Sequence, residues 1–340
     1  MRTYRLAFLG FGHVGRALAG LLQRKRAELA DRYGVAWQLT GLASRRLGWI
    51  AAPDGLDWET VARAPGSGRM QGADAAGLEP WLEASQAEVL FEMTSLNSTT
   101  GQPALDYLRT ALGCGVHAIT ANKGPVVHGY RELRDLALAR GKRFLFESTV
   151  MDGAPIFSLF RQALPVANLL RFRGILNSTT NYILGEIEAG LSLEAAVRQA
   201  QAMGIAEADP SADIDGWDAT VKVCALATVL MGSPLLPDQV QRTGIRGLSP
   251  EQVRRARREG RPFKLVCRAQ RREAGVDARV GLEQLALDDP LAAVSGTSSV
   301  IHLETDVLSG LTLVEHDPGP ETTAYGMLAD FVDIVRQEGG

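Results

Sequence analysis

The 340-residue chain has only three cysteines, Cys114, Cys224 and Cys267, far apart and odd in number. That rules out a disulfide framework, and none has metal-ligand spacing, so the sequence implies a reduced, cytoplasmic protein. No apolar run approaches the ~18 residues that a membrane span would need. The opening MRTYRLAFLGFG has a short apolar stretch without a cleavage-site pattern, and reads as a strand rather than a signal peptide. The net charge of −3 has no basic excess, so neither nucleic acid nor a membrane surface is expected as a partner. The arginine-rich stretches 254–261 and 268–272 read as a solvated helix face and a turn. The five histidines, 13, 117, 128, 302 and 316, lack paired spacing and are taken as structural or surface groups. There are no internal repeats.

What is present suits two domains, or one split by an insertion. RLAFLG (5–10) ends in a glycine turn, and apolar residues then recur at helical spacing from Val14 to about Tyr33. WQLTGLAS (37–44), AEVLFEMTS (87–95) and VHAITAN (116–122) read as strands, with PALDYLRTAL (103–112) as a helix between the later ones. Strands alternating with helices predict a parallel sheet covered on both faces. Residues 48–86 are irregular, and the Gly/Ala/Pro-rich part at 64–77 suits a loop over the sheet edge. After RFLFEST (143–149) come helical stretches at 155–164, 192–203 and 218–231, a charged segment at 249–262, and three strand-like runs (262–270, 278–285, 298–306). That pattern predicts a second, α+β domain. The stretch 322–337 is again an amphipathic helix.

Gly10-Phe11-Gly12-His13-Val14-Gly15 is a GxGxxG motif between a strand and a helix. That context is what dinucleotide binding requires: a tight turn, close backbone approach and helix N–H groups facing pyrophosphate. The second strand ends in Ser44-Arg45-Arg46 rather than in an acid for a ribose 2′-hydroxyl. A guanidinium at Arg45 favours the 2′-phosphate of NADP over NAD, and a solvated arginine pair is the alternative. Thr94, Ser95 and Lys123 follow strand ends, where ligands of open parallel sheets bind.

GIAEADPSADIDGWDATVKV (204–223) packs Glu207, Asp209, Asp213, Asp215 and Asp218 close together, with Lys222 four residues after the last. Like charges this close repel. A calcium loop starting at Ser211 fails, because its last position is Lys222 where a carboxylate is needed. A turn at Asp209-Pro210 and a helix cap at Asp215 or Gly216 account for one or two of the acids. The remaining reading is a site for an ammonium-bearing substrate. Asp218 and Lys222 then share one helix face, and the lysine is poised to protonate a developing alkoxide. GILNSTTNYIL (174–184), with Asn177 and Thr180, either holds a substrate carboxylate or caps a helix.

These motifs, with TANKGP (120–125) and FESTVMDGAP (146–155), occur in the order found in homoserine dehydrogenases, and the chain resembles that family over nearly its whole length. The resemblance implies NAD(P)-dependent interconversion of L-aspartate 4-semialdehyde and L-homoserine, a step of threonine, methionine and isoleucine biosynthesis. It implies a Rossmann-type α/β domain of residues 1–146 completed by 315–340, with an inserted α+β substrate and dimerisation domain at 147–314, in a homodimer. Lys222 and Lys123 resemble the catalytic lysines and Asp218 the acid that orients the reacting group. Glu207 and Asp213 resemble the residues that hold the substrate amino group. Backbone carbonyls of Glu147, Val150, Asp152 and Ala154 match those that bind a monovalent cation, usually sodium.

One stretch departs from the pattern. The family's glycine-rich loop before the last helix is here EHDPGPETTAYG (315–326), which keeps Gly319 as a cofactor contact but loses earlier glycines. The chain ends about where the catalytic portion of the family ends, so threonine feedback of the usual type is not expected. Two rival readings remain: another amino-acid oxidoreductase such as an aspartate dehydrogenase, and a catalytically silent dinucleotide sensor.

Overall fold

The computed structural model describes residues 1–58, 61, 73–74 and 77–338. The chain divides into two compact units, Met1–Pro155 with Gly319–Gly340, and Ile156–Pro318. Most of the glycine-rich 64–77 segment lies outside the described residues.

The first unit runs β1 (Arg2–Leu9), α1 (His13–Arg24), α2 (Arg26–Tyr33), β2 (Val35–Ser44), β3 (Gly48–Ala51), β4 (Ala73–Asp74), α3 (Leu78–Ser85), β5 (Val89–Glu92), α4 (Ala104–Gly113), β6 (His117–Thr120), α5 (Lys123–Ala139) and β7 (Phe144–Leu145), and includes helix Pro320–Glu338. The seven strands lie in the order β4-β3-β2-β1-β5-β6-β7. Strands β2, β1, β5, β6 and β7 are parallel, while β3 and β4 add an antiparallel edge. The central strands are mostly apolar and buried because both sheet faces are covered. On one face Phe8, Phe91 and Phe331 stack edge to face, at 5.3 and 6.2 Å between ring centres, which seats helix 320–338 on the sheet. On the other face Trp81 packs with Ala7, Leu9 and Leu90.

Two expectations from the sequence change here. The helix expected to about Tyr33 breaks at Lys25, amid Arg24 and Arg26, where three adjacent cations repel. The 48–86 stretch is not wholly irregular: β3 extends the sheet, and Trp81 Nε1 donates to Ile50 O at 2.6 Å. Strand β7 ends at Leu145 and is followed by a 3₁₀ turn at Glu147–Thr149. Helix 320–338 takes over its hydrogen bonds: Glu147 N donates to Asp330 at 2.8 Å and Ser148 Oγ to Thr323 O at 2.6 Å.

The second unit has a six-stranded sheet and helices. Its elements are β8 (Leu169–Ile175), α6 (Ser178–Glu188), α7 (Leu193–Ala202), α8 (Ser211–Ile214), α9 (Trp217–Leu230), β9 (Gln241–Arg242), α10 (Pro250–Arg258), β10 (Phe263–Arg272), β11 (Gly275–Gln284), β12 (Ser299–Thr305) and β13 (Leu311–Glu315). Strand order is β13-β12-β8-β10-β11-β9, antiparallel except for the β11–β9 pair. The helix expected at 155–164 is a π-turn, Leu159–Ala163, closed by Leu164 N on Leu159 O at 2.8 Å. Helix α9 is apolar nearly all round and is buried accordingly.

Candidate functional site

In the first unit, the three glycines of the turn after β1 do different things. Gly10 has φ +100°, and a Cβ there would lie 2.5 Å from Met93 O. A Cβ on Gly15 would lie 2.8 Å from Gly10 O, so helix α1 can approach the strand only without a side chain. A Cβ on Gly12 would meet nothing within 4 Å. The backbone at Gly12 therefore faces open space, as close approach by a pyrophosphate requires. That space is a cavity of about 670 Å³ lined by Gly10, Gly12 and His13. Arg45, Arg46, Thr94 and Ser95 line it as well. Both arginines are exposed, and among the described residues neither is ion-paired. Val14, the second residue of α1, is half-buried and packs against the apolar core. The cavity sits where the strand order reverses, between β1 and β5. The residues present fit a nicotinamide dinucleotide.

Lys123 is the first residue of α5. Asn122 caps that helix, accepting from Gly124 N at 3.0 Å, and its amide donates to Thr94 O and Ser95 O at 3.3 Å. Beneath both turns lies Glu92, fully buried. It accepts from Thr94 N at 2.7 Å, Thr94 Oγ1 at 2.5 Å and Thr120 Oγ1 at 2.6 Å. Burial raises its pKa, against these hydrogen bonds, which lower it. The sequence reading passed over Glu92, because an acid within an apolar run carries no motif. Its one signal is position, at a parallel strand's carboxyl end.

In the second unit, the acid-rich stretch is sorted by the fold. Asp209 turns back on Ser211 N at 3.0 Å, and Asp215 forms a two-pronged pair with Arg246 at 2.8 and 3.1 Å. Gly216, with φ +79°, is the cap before α9. Asp213 and Asp218 converge instead. The Asn177 amide donates to Asp213 Oδ1 at 2.6 Å and Asp218 Oδ2 at 3.0 Å. Lys222 Nζ lies 3.3 Å from Asp218 Oδ2 and donates to Leu176 O at 2.6 Å. Burial, and next the charge of Asp218, raise the Asp213 pKa. Asn177 also caps α6, accepting from Thr180 N at 2.8 Å. The Thr180 hydroxyl is buried and committed to Asn177, at 2.8 Å from Oδ1. In this arrangement the Thr180 hydroxyl helps hold Asn177 in place. Glu207 stands exposed on the loop after α7, where its backbone carbonyl accepts from Gln201 Nε2 at 3.1 Å.

The 147–154 segment is a tight turn against helix 320–338. Glu147 and Val150 are buried, Asp152 has φ +39°, and Ala154 N closes on Met151 O at 2.7 Å. Asp152 accepts from the Thr323 hydroxyl. Gly319 precedes the helix, its N–H donating to Thr322 Oγ1 at 2.8 Å. Among the described residues no cluster of three His, Cys, Asp or Glu could hold a metal, so any ion at this turn would rely on carbonyl oxygens.

Known proteins carry the same pattern. The family model "Homoserine dehydrogenase" matches residues 155–332, and "Homoserine dehydrogenase, NAD binding domain" matches 10–147. The chain belongs to the homoserine dehydrogenase family. It is 35% identical to the NAD(+)-dependent homoserine dehydrogenase of Pseudomonas canavaninivorans, over 98% of this chain and 97% of that one. A homoserine dehydrogenase from Thiobacillus denitrificans superposes with TM-score 0.85 at 27% identity, covering 100% of this chain and 74% of that one. A hyperthermophilic archaeal homoserine dehydrogenase in complex with NADPH superposes with TM-score 0.83 at 28% identity, covering 99% and 98%. As a homoserine dehydrogenase family member the chain is an oxidoreductase with a Rossmann-type NAD(P)-binding domain and a second, α+β domain. No helix among the described residues is long and apolar enough to cross a membrane.

Proposed function

We propose that the chain interconverts L-homoserine and L-aspartate 4-semialdehyde with NADP(H), using Lys222 as the proton donor to the aldehyde oxygen. The Asn177–Asp213–Asp218–Lys222 cluster carries this reading. Its two carboxylates suit the substrate ammonium, and its lysine stands beside one of them. The bound nicotinamide supplies or accepts the hydride at the carbon that alternates between alcohol and aldehyde. In the reducing direction Lys222 gives a proton to the oxygen that hydride addition leaves negative, and the reverse reaction returns it. Asp218, 3.3 Å from Lys222 Nζ, orients that amine. Glu207 and Asp213 bind the substrate ammonium, and Lys123 acts beside the nicotinamide as a second cation.

The preference for NADP rests on Arg45 and Arg46, whose guanidinium groups suit a 2′-phosphate. A monovalent cation, sodium by its preference for hard oxygen ligands, would be held by carbonyls of Glu147, Val150, Asp152 and Ala154. The homodimer and the small amino-acid substrate are part of the same reading.

The test is a spectrophotometric assay with homoserine, run with NADP and NAD in parallel, with and without sodium. Cofactor reduction that disappears in Lys222→Ala supports the assignment. Cofactor binding without turnover in either direction would replace it with the dinucleotide-sensor reading.

A further inference from the structure

Glu92 is a costly group to keep. A carboxylate removed from water is destabilising unless it is paired or fully hydrogen-bonded. Among the described residues it has no cationic partner. Its contacts come instead from the two turns above it: Thr94, after β5, and Thr120, at the end of β6. Thr120 Oγ1 also accepts from Asn122 N at 2.9 Å. Asn122 in turn caps the helix that begins at Lys123 and holds the carbonyls of Thr94 and Ser95. One carboxylate thus ties together the turn that lines the dinucleotide cavity and the turn that carries Lys123. Further tightness comes from Gly101 and Gly124, where a Cβ on Gly124 would lie 2.8 Å from Gly101 Cα.

The direction of the cofactor follows from the sheet. The end of β2, with Arg45, is where the adenine ribose is read in this fold, so the β5 side of the switch point receives the nicotinamide. We propose that Glu92 is a positioning residue that holds the nicotinamide-side wall of the cleft and Lys123 in one geometry for hydride transfer. This rests on the dinucleotide and homoserine readings above. It acts through Thr94, Thr120 and Asn122, which share its hydrogen bonds. An apolar residue here would spare the cost of burying the acid but would leave the Thr94 N–H and both hydroxyls without an acceptor.

The experiment compares the wild-type chain with Glu92→Gln and Thr120→Val, using two ligands without substrate. One is NADPH, and the other is 2′-phospho-ADP-ribose, the same molecule lacking nicotinamide. Glu92→Gln should weaken NADPH about tenfold and leave the fragment within about twofold, because only the nicotinamide side is disturbed. In turnover with homoserine, kcat should fall by up to about 100-fold with homoserine KM nearly unchanged. Thr120→Val, which removes one hydroxyl, should shift the same quantities in the same direction by less, and carries the test should Glu92→Gln not fold. Equal weakening of both ligands would make Glu92 a purely structural residue, and no change in either would make it dispensable; both overturn the proposal. A wild-type chain that binds neither ligand overturns it together with the dinucleotide reading. Normal binding differences without any homoserine turnover would leave Glu92 positioning the nicotinamide and overturn only the substrate assignment.

Discussion

Lys222 Nζ lies 3.3 Å from Asp218 Oδ2, one helical turn away on α9. Both side chains are less than one-fifth exposed, at 14% and 19%. An exposed pair of this kind would contribute little, but a largely buried one holds the lysine in position beside Asn177 and Asp213.

Replacing Lys222 with Ala should lower kcat by about 10²–10⁴-fold, the range for a positioned acid–base group. Lys222→Arg, which keeps the charge but is too basic to exchange the proton, should not restore it. Steady-state kinetics checks both, with circular dichroism to confirm folding. Turnover within about tenfold of wild type in Lys222→Ala would remove its assigned role.

The glycines of the dinucleotide turn should separate binding from folding. Gly12→Ala faces open space, so the chain should keep its melting temperature yet lose cofactor affinity where the methyl meets pyrophosphate. Gly10→Ala places a Cβ against Met93 O at a positive φ, and should lower the melting temperature as well. Thermal melts beside cofactor titrations distinguish the two. Equal destabilisation would contradict the space seen at Gly12.

Arg45→Ala combined with Arg46→Ala should raise the NADP KM by about 10–100-fold, from the loss of charge-assisted hydrogen bonds of about 1.5–3 kcal/mol. The NAD KM should hardly move. Equal effects on both cofactors would mean that these arginines are merely solvated.

His117 gives a pH prediction. It is buried, its Nε2 lies 2.8 Å from Glu338 Oε1, and its Nδ1 accepts from Arg143 N at 3.1 Å. Burial lowers its pKa below the ordinary 6.5, more than the Glu338 contact raises it, and Lys142 and Arg2 lower it further. The unfolded chain then binds the proton more tightly, so stability is fully present above about pH 6.5 and falls as pH drops toward the folded value. His117→Gln, which can still accept from Arg143 and donate to Glu338, should flatten that fall. Melting temperatures between about pH 5 and 8 measure it, and an unchanged slope in the variant would assign the acid sensitivity elsewhere.

Much of this architecture was legible in the order of residues. Apolar runs ending in glycine turns give parallel strands and a dinucleotide turn, since those features depend on local periodicity and on the sterics of a missing Cβ. Asp218 and Lys222 were placed on one face by helical spacing alone. The five neighbouring acids were another matter. Sequence put them together and suggested the turn at Asp209, but only the fold sent Asp215 to Arg246, leaving Asp213 and Asp218 around Asn177. Of the two readings of the 174–184 stretch, the structure shows the cap: Asn177 caps α6 and Thr180 donates to it. Glu92 had no local signature, because its partners Thr94, Thr120 and Asn122 meet only when β5 and β6 pair side by side. Sequence by itself determined the central parallel strands, the glycine turn and the lysine's helix face, because those follow from contacts within a few residues. Tertiary structure alone decided which carboxylates are buried together and which hydrogen bonds hold them, because desolvation and long-range partners exist only once the chain has folded.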